Sequence, residues 1–326
     1  MQEENPLWSE IESVHPDCLT GGKRAWVVGT KDRDGKPLLT VLSIDSGLVR
    51  TDPRPMPDEI RYFYEEEYRV SYKGASEPKP KHVARGGLVA LSRYKRLRKY
   101  LPEGSRILDA GSGGGEFLCL LDKHRGCAGL GIEPNEGYAD YSAREYGLNI
   151  TKGFFTDVEP DQESVDVVTL FHVLEHVEEP IACLKILASW LRPAGLLVVE
   201  VPNAESKAGS PSGKYHFAHL FNYNLTTLAA IGRQAGLAVE RKWVSSDGGN
   251  IEIVFRKTDS PPAIELKGNA ERVLQILQSH TSMSHLFSAK PFVRPIRKLL
   301  ARVGEKRLLV GELSGRALLD SIYRQD

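Results

Sequence analysis

LDAGSGGGEF, residues 108–117, sets an apolar run against an acid and follows it with a cluster of glycines. Glycine at this density gives up backbone order, so the segment makes sense where something approaches the main chain closely. RILDA before the glycines reads as a strand, and EFLCLLDKH after them as a helix. Strand, glycine turn and helix together form an element that holds nucleotide-like ligands. The dinucleotide fingerprint G-x-G-x-x-G nevertheless fails, because its third glycine, counted from Gly111 and Gly113, falls on Glu116. The pattern present is D-x-G-x-G-x-G: Asp109, Gly111, Gly113 and Gly115, with Ser112 inside it.

Outward from this turn the chain alternates. CAGLGIE reads as a strand tipped by Glu133 and followed by Pro134; GYADYSAREYG as a helix closing on Gly147; NITKGFF as a short strand. VDVVTLF is a buried strand running to Phe171, and VEEPIACLKILASWLRPAG a helix stopped by Pro193 and Gly195. LLVVEVP is the next strand. Asn224 reads as the N-cap of LTTLAAIGRQA, with Gly236 beyond its end, and LAVERKWVS and GNIEIVFRK as an antiparallel pair. This alternation predicts an α/β fold, a doubly wound, mostly parallel Rossmann-like sheet, over residues 84–258. Upstream, AWVVGT and PLLTVLSI flank the turn signal Asp34-Gly35, which predicts a small β-hairpin module within 1–57. Residues 58–83 read as a helical linker or cap, a helical run covers about 83–100, and 259–326 is a mainly helical tail.

The motif D-x-G-x-G-x-G resembles motif I of the class I S-adenosylmethionine (SAM) methyltransferases. GSGGGEFL, GIEPN, FHVLEHV, LRPAGLLVVEVPN and AHLFNYNLTTL extend the resemblance over about 150 residues, Ile107 to Arg256. They are similar to the small-molecule and sugar methyltransferases, a group that includes ubiquinone-pathway O-methyltransferases and sugar C-methyltransferases. The resemblance implies SAM as cofactor and S-adenosylhomocysteine as product, with the methyl passing to O, C or N of a small polar acceptor. It implies a cofactor site of Asp109, Gly111, Ser112, Gly113, Glu133 for the ribose hydroxyls, Pro134, Asp157 for the adenine amine, and Phe171. In related enzymes a helix ahead of the first strand caps the cofactor, which brings in Arg69 for the carboxylate and Tyr72 or Tyr68 over the methyl donor.

The histidines leave alternatives open. His172-Val-Leu-Glu175-His176 spells H-x-x-E-H, a zinc-peptidase signature, but it stands at the end of a buried strand, where two histidines four apart do not share a helix face. His172 and His176 either order the following helix or border the acceptor pocket. His216 and His219 lie in YHFAHLF, a loop that follows strand VPN, where either is a candidate base and His219 fits the family pattern better; ordering of the loop is the other reading. No metal site is expected. His15-Pro-Asp-Cys18 and Ser43-Ile-Asp-Ser46 flank the hairpin as the C-x₂-C pairs of a zinc ribbon do ahead of some sugar C-methyltransferases. Neutral serine hydroxyls are poor zinc ligands, so the module is expected to be metal-free and held by Trp26, Val28, Leu39 and Val41.

Composition excludes several classes. Lys+Arg and Asp+Glu balance at 43 each, so no global charge points to nucleic acid. No apolar run is long enough to span a membrane. The acidic, polar N-terminus is unlike a secretory signal, and four scattered cysteines fit a reducing cytoplasm. Residues 290–326 carry nine Lys/Arg against four Asp/Glu. Phe292, Ile296, Leu299, Leu300 and Val303 fall at helical spacing there, opposite Arg294, Arg297, Lys298 and Arg302. Such a basic amphipathic helix suits peripheral membrane contact or self-association.

Overall fold

The computed structural model describes residues 6–56, 59, 77–155, 158, 161–288, 308 and 314–324. Strands β1 (Glu10–Glu12), β2 (Arg24–Lys31), β3 (Pro37–Ser43) and β4 (Val49–Thr51) are followed by helix α1 (Pro80–Leu97), β5 (Arg106–Ala110), α2 (Glu116–Arg125) and β6 (Ala128–Glu133). Then come α3 (Glu136–Tyr146), β7 (Asn149–Lys152), β8 (Val165–Phe171), α4 (Pro180–Trp190), β9 (Leu191–Pro202) and β10 (Phe221–Asn222). α5 (Leu225–Gln234), β11 (Leu237–Val244), β12 (Asn250–Lys257), α6 (Asn269–Ser279), α7 (Ser282–Leu286) and α8 (Gly315–Tyr323) complete the described elements. The strands pair as a seven-stranded sheet, β11-β12-β9-β8-β5-β6-β7, and a five-stranded sheet, β1-β2-β3-β4-β10. The fold is α/β, as the alternation predicts.

The chain divides into two compact units. One comprises Tyr62–Phe171, Ser189–Leu197 and Arg294–Asp326. Within it β5, β6, β7 and β8 pair in parallel, with Asp109 beside Gly131 on one side and Thr169 on the other. β5 is where the order reverses, its chain neighbour β6 on one flank and β8 on the other; ligands bind beyond the carboxyl ends of strands at such a point. Ile107, Leu108, Ala110, Phe117, Leu118, Leu120, Leu121, Val167, Val168 and Leu170 are buried around it. α1 carries adjacent glycines in its interior, each costing about 1 kcal/mol relative to alanine. A Cβ on Gly87 would lie 2.7 Å from Leu319 Cδ2, and one on Gly86 would lie 2.6 Å from Glu116 Cδ. The pair therefore admits α8 on one side and a carboxylate on the other.

The other unit comprises Met1–Arg61, His172–Ala188 and Val198–Val293. β2 and β3 form the expected hairpin, whose turn is closed by Asp32 Oδ1 accepting from the amides of Asp34 and Lys36. It grows into an antiparallel sheet in which β4 pairs with β10, Arg50 opposite Phe221 and Val49 opposite Asn222. Val28, Leu38, Leu42, Val49, Ala204, Tyr215, Val273 and Leu277 form its core, with Trp26 packed at the margin. Val41 is fully buried, whereas Leu39, expected in the core, is half-buried. Where a ribbon would hold zinc, Arg50 is 0% exposed and donates to Ser43 Oγ (2.5 Å), Ser13 Oγ (2.7 Å) and the His15 carbonyl (2.9 Å). Burial pushes the Cys18 thiol up to about 12, away from the thiolate that binds metal.

Two element boundaries differ from expectation. The helix predicted to run to Gly195 ends at Trp190, because Pro193 disfavours helical backbone at Arg192, and β9 begins at once. The run placed at 83–100 begins at Pro80, which as first helical residue gives up no needed donor, and tightens into a 3₁₀ turn at Arg98–Tyr100. Asn224 caps α5 as expected, in a reciprocal pair with Thr227. The basic segment with Phe292, Arg294, Ile296, Arg297, Lys298, Leu299, Leu300, Arg302 and Val303 lies outside the described residues, as does nearly all of the helix expected over 58–72. Among the described residues no helix is long and apolar enough to cross a membrane.

Candidate functional site

The glycine turn after β5 folds back on the end of β6: the amides of Gly111 (2.8 Å) and Ser112 (3.0 Å) both donate to the Ile132 carbonyl. Gly111, Gly113 and Gly115 have φ of 83°, 56° and 78°, the left-handed region open to glycine. Glu133 ends β6 with each carboxylate oxygen anchored, Oε2 accepting from Gly113 N and Oε1 from Asn135 N, both at 2.8 Å. A carboxylate oxygen can accept more than one hydrogen bond, the capacity a ligand hydroxyl would call on. Asp109 is buried and accepts from Thr169 Oγ1 at 2.6 Å. Burial pushes its carboxyl up to about 7, against the Thr169 hydrogen bond and the Arg93 guanidinium.

A cleft of about 370 Å³ opens here. Asp109, Gly111, Ser112, Gly113, Glu116, Phe117 and Phe171 form one part of its wall, and His82, Arg85, Gly86, Val89, Ala90 and Arg93 of α1 the other. Phe117 meets Phe171 edge-on at 5.2 Å, and the Arg93 guanidinium lies 4.0 Å over the Phe171 ring. The cleft thus has two arginines for an anionic group, two acids for a cationic one, and aromatic faces for a flat apolar one. An adenosyl cofactor with an amino-acid end fits that set. Among the described residues, a Cβ on Gly113 would have no neighbour within 4 Å, and the buried Ser112 Oγ has no hydrogen-bond partner.

Of the expected cofactor residues, the structure brings Asp109, Gly111, Ser112, Gly113 and Phe171 together in the cleft wall and ties Glu133 to it through Gly113. Pro134 is exposed and outside that wall. Asp157, Arg69, Tyr68 and Tyr72 lie outside the described residues. Sequence reading missed Arg85, Arg93, His82 and Glu116. The signal was available: His82, Arg85, Gly86, Val89 and Arg93 recur at helical spacing along one stripe, and Gly86 is out of place inside a helix unless something packs on it.

The four histidines fall in the other unit. His172 has a left-handed φ of 56°, uncommon outside glycine, and ends the strand rather than starting a helix. Its ring sits 3.2 Å from Glu200 Oε1 and 3.5 Å from Glu175 Oε1. Burial opposes its charge, but these two carboxylates outweigh that and push it up to about 9. The segment is a strand end followed by a 3₁₀ turn, Leu174–His176, so His172 and His176 do not share a helix face, in line with the sequence expectation. His176 Nδ1 lies 2.7 Å from the Ala218 carbonyl. The His176 and His219 rings meet edge to face at 4.9 Å, and those of His216 and His219 lie 5.1 Å apart. Burial lowers His219 to about 3 and His216 to about 4. Burial works against the charge of Glu175 as well, yet His176 and His172 hold its carboxyl below the usual range.

The N-terminal sheet holds this cluster. Thr51 donates through Oγ1 to the His219 carbonyl (3.1 Å) and through its amide to that of Leu220 (3.0 Å), just where β4 pairs with β10. Arg33 N donates to the Tyr215 carbonyl, and Gly29 lies against the Tyr215 ring, where a Cβ would approach to 2.6 Å. The histidine-bearing loop is thereby framed at both ends.

A parallel sheet reversing at β5, a glycine turn and an acid-tipped second strand define a Rossmann-like domain shaped for an adenosyl cofactor. Residues 84–242 match the family described as methyltransferase domain. The ubiquinone biosynthesis O-methyltransferase of Aeromonas salmonicida is 36% identical over 113 residues, 32% of this chain and 46% of that protein. Its namesake from Coxiella burnetii is 30% identical over 141 residues, 41% of this chain and 57% of that one. The chain spans about half the length of these curated relatives. A SAM-dependent methyltransferase structure from Aquifex aeolicus aligns with a TM-score of 0.43 and 20% identity, over 62% of this chain and 99% of that one.

Proposed function

We propose that the protein transfers the methyl group of SAM to an oxygen of a small polar acceptor, with a sugar or sugar nucleotide as the first class to test. The observation that carries the reading is the Glu133 carboxylate pinned to the glycine turn by Gly113 N, beside a cleft with cationic and anionic walls. Bound there, the cofactor supplies a methyl group already activated on sulfonium. Glu133 accepts from ribose hydroxyls, Arg85 and Arg93 answer the carboxylate, and Asp109 and Glu116 answer the positive charge. The names of the curated relatives, O-methyltransferases, support oxygen as the nucleophile.

The histidine cluster handles the acceptor. Within their own unit the rings of His176, His216 and His219 converge. With the cofactor bound, an imidazole of this cluster would take the proton of an acceptor hydroxyl as the methyl group passed to its oxygen, the carbon–sulfur electron pair staying on sulfur. The test is incubation with SAM labelled in the methyl group and fractionated small-molecule extracts. Label appearing in a methyl ether of a sugar or other polar metabolite supports the reading. SAM binding without labelled product from any fraction contradicts it.

A further inference from the structure

We propose that Glu175, His176 and His219 form a binding site for a first-row divalent cation, from Mn²⁺ to Zn²⁺. One ligand atom from each of these residues lies within 4.8 Å of the others, a grouping of two imidazoles and one carboxylate. Metal–ligand bonds of about 2.1 Å put neighbouring ligand atoms about 3 to 4 Å apart, so small side-chain shifts close the trio on an ion. No cysteine takes part, and a mixed imidazole and carboxylate set suits borderline first-row ions better than calcium.

Two further observations point to an ion. Glu175 is 1% exposed, and its Oε2 has no hydrogen-bond partner among the described residues. A buried carboxylate oxygen left unmatched is costly, and a cation answers it. His176 Nδ1 lies 2.7 Å from the Ala218 carbonyl, which places a proton on Nδ1 and leaves Nε2, 3.7 Å from Glu175 Oε1, as the nitrogen that would ligate an ion in place of a proton. Metal-binding histidines are oriented by carbonyls in this manner. The carbonyl belongs to the residue before His219, so one stretch of main chain sets both imidazoles, and that stretch is held by Thr51. Three protein ligands leave positions for a small oxygen ligand, and a cation there eases loss of a proton from a coordinated hydroxyl. That use rests on the methyl-transfer reading above; the site itself does not.

Equilibrium dialysis of the full chain against Mn²⁺, Co²⁺ and Zn²⁺, without SAM, tests the site. One equivalent per chain is expected for at least one of the ions, with affinity weakened at least about 10-fold in Glu175→Gln and in His219→Ala. SAM binding, measured by calorimetry on the same samples, reports that the variants are folded and is expected to be retained. Uptake of none of the three ions, or uptake undiminished in both variants, overturns the proposal. Should a variant not fold, anomalous scattering from ion-soaked crystals of the unaltered chain decides: a peak among the three side chains supports the site, and a peak elsewhere or none refutes it. Cation uptake without methylated product upholds the site and tells against the transferase reading, so the two fail separately.

Discussion

Two acids stand out in the candidate cofactor site. Glu133 spends one lone pair of each oxygen on the backbone, at Gly113 and Asn135, so Glu133→Gln disturbs both the turn and the hydroxyl contact. Hydrogen bonds to a charged group contribute about 1.5–3 kcal/mol, so SAM affinity is expected to fall about 10- to 100-fold by calorimetry. Asp109 behaves differently because it is buried and titrates near neutrality, at about 7 against an ordinary 3.8. An acid whose folded value is raised holds a proton that the unfolded chain has lost. Its contribution to stability is present at low pH and is lost as pH rises from about 4 to about 7. A cationic ligand favours the ionised form, so SAM affinity is expected to climb as pH passes through that value. Arg93, Glu133 and Thr169 are the neighbours that act on Asp109, and none is removed by Asp109→Asn. Calorimetry at several pH values checks this: Asp109→Asn should flatten the profile, and an unchanged slope would assign the titration to another group.

At the scale of elements, α1 presents its stripe to the cleft because Gly86 leaves room for Glu116. Gly86→Ala would put a methyl group 2.6 Å from Glu116 Cδ while improving helix propensity. The expected outcome is weaker SAM binding with little loss of thermal stability; binding at full strength would show that the Glu116 placement does not matter. In the five-stranded sheet, Arg50→Ala leaves Ser13, Ser43 and the His15 carbonyl without their buried donor. Breaking a buried charged network costs about 3–5 kcal/mol, readable as a lower urea midpoint. Much of the larger sheet was legible in the sequence, since strands and helices alternate cleanly and Gly147 and Asn224 mark helix ends. Strand-tip acids and glycines were legible because their chemistry is local. Arg85 and Arg93 were marked only by the stripe they share with Gly86, and Glu116 by nothing, because a charged residue on a helix looks the same whether it faces solvent or a cleft. Nor was β10 legible: two residues long, it joins the N-terminal sheet by a pairing some 170 positions apart in sequence.

For the whole molecule, the N-terminal sheet holds the loop that carries His216 and His219 while the parallel sheet of the other unit builds the cofactor cleft. Loosening the first is therefore expected to lower turnover and spare SAM binding. Thr51→Val keeps the strand shape and removes the hydroxyl that donates to the His219 carbonyl. Its predicted signature in a labelled-methyl assay is a reduced kcat with an unchanged SAM dissociation constant; equal loss of both would show that the two functions are not separable in this way. The most direct test of the central claim is titration calorimetry of the full-length chain with SAM and with S-adenosylhomocysteine. Saturable binding at one site per chain, weakened in Glu133→Gln, is the predicted result. A folded sample that gives no heat with either compound, or that binds them equally well without the Glu133 carboxylate, would contradict it.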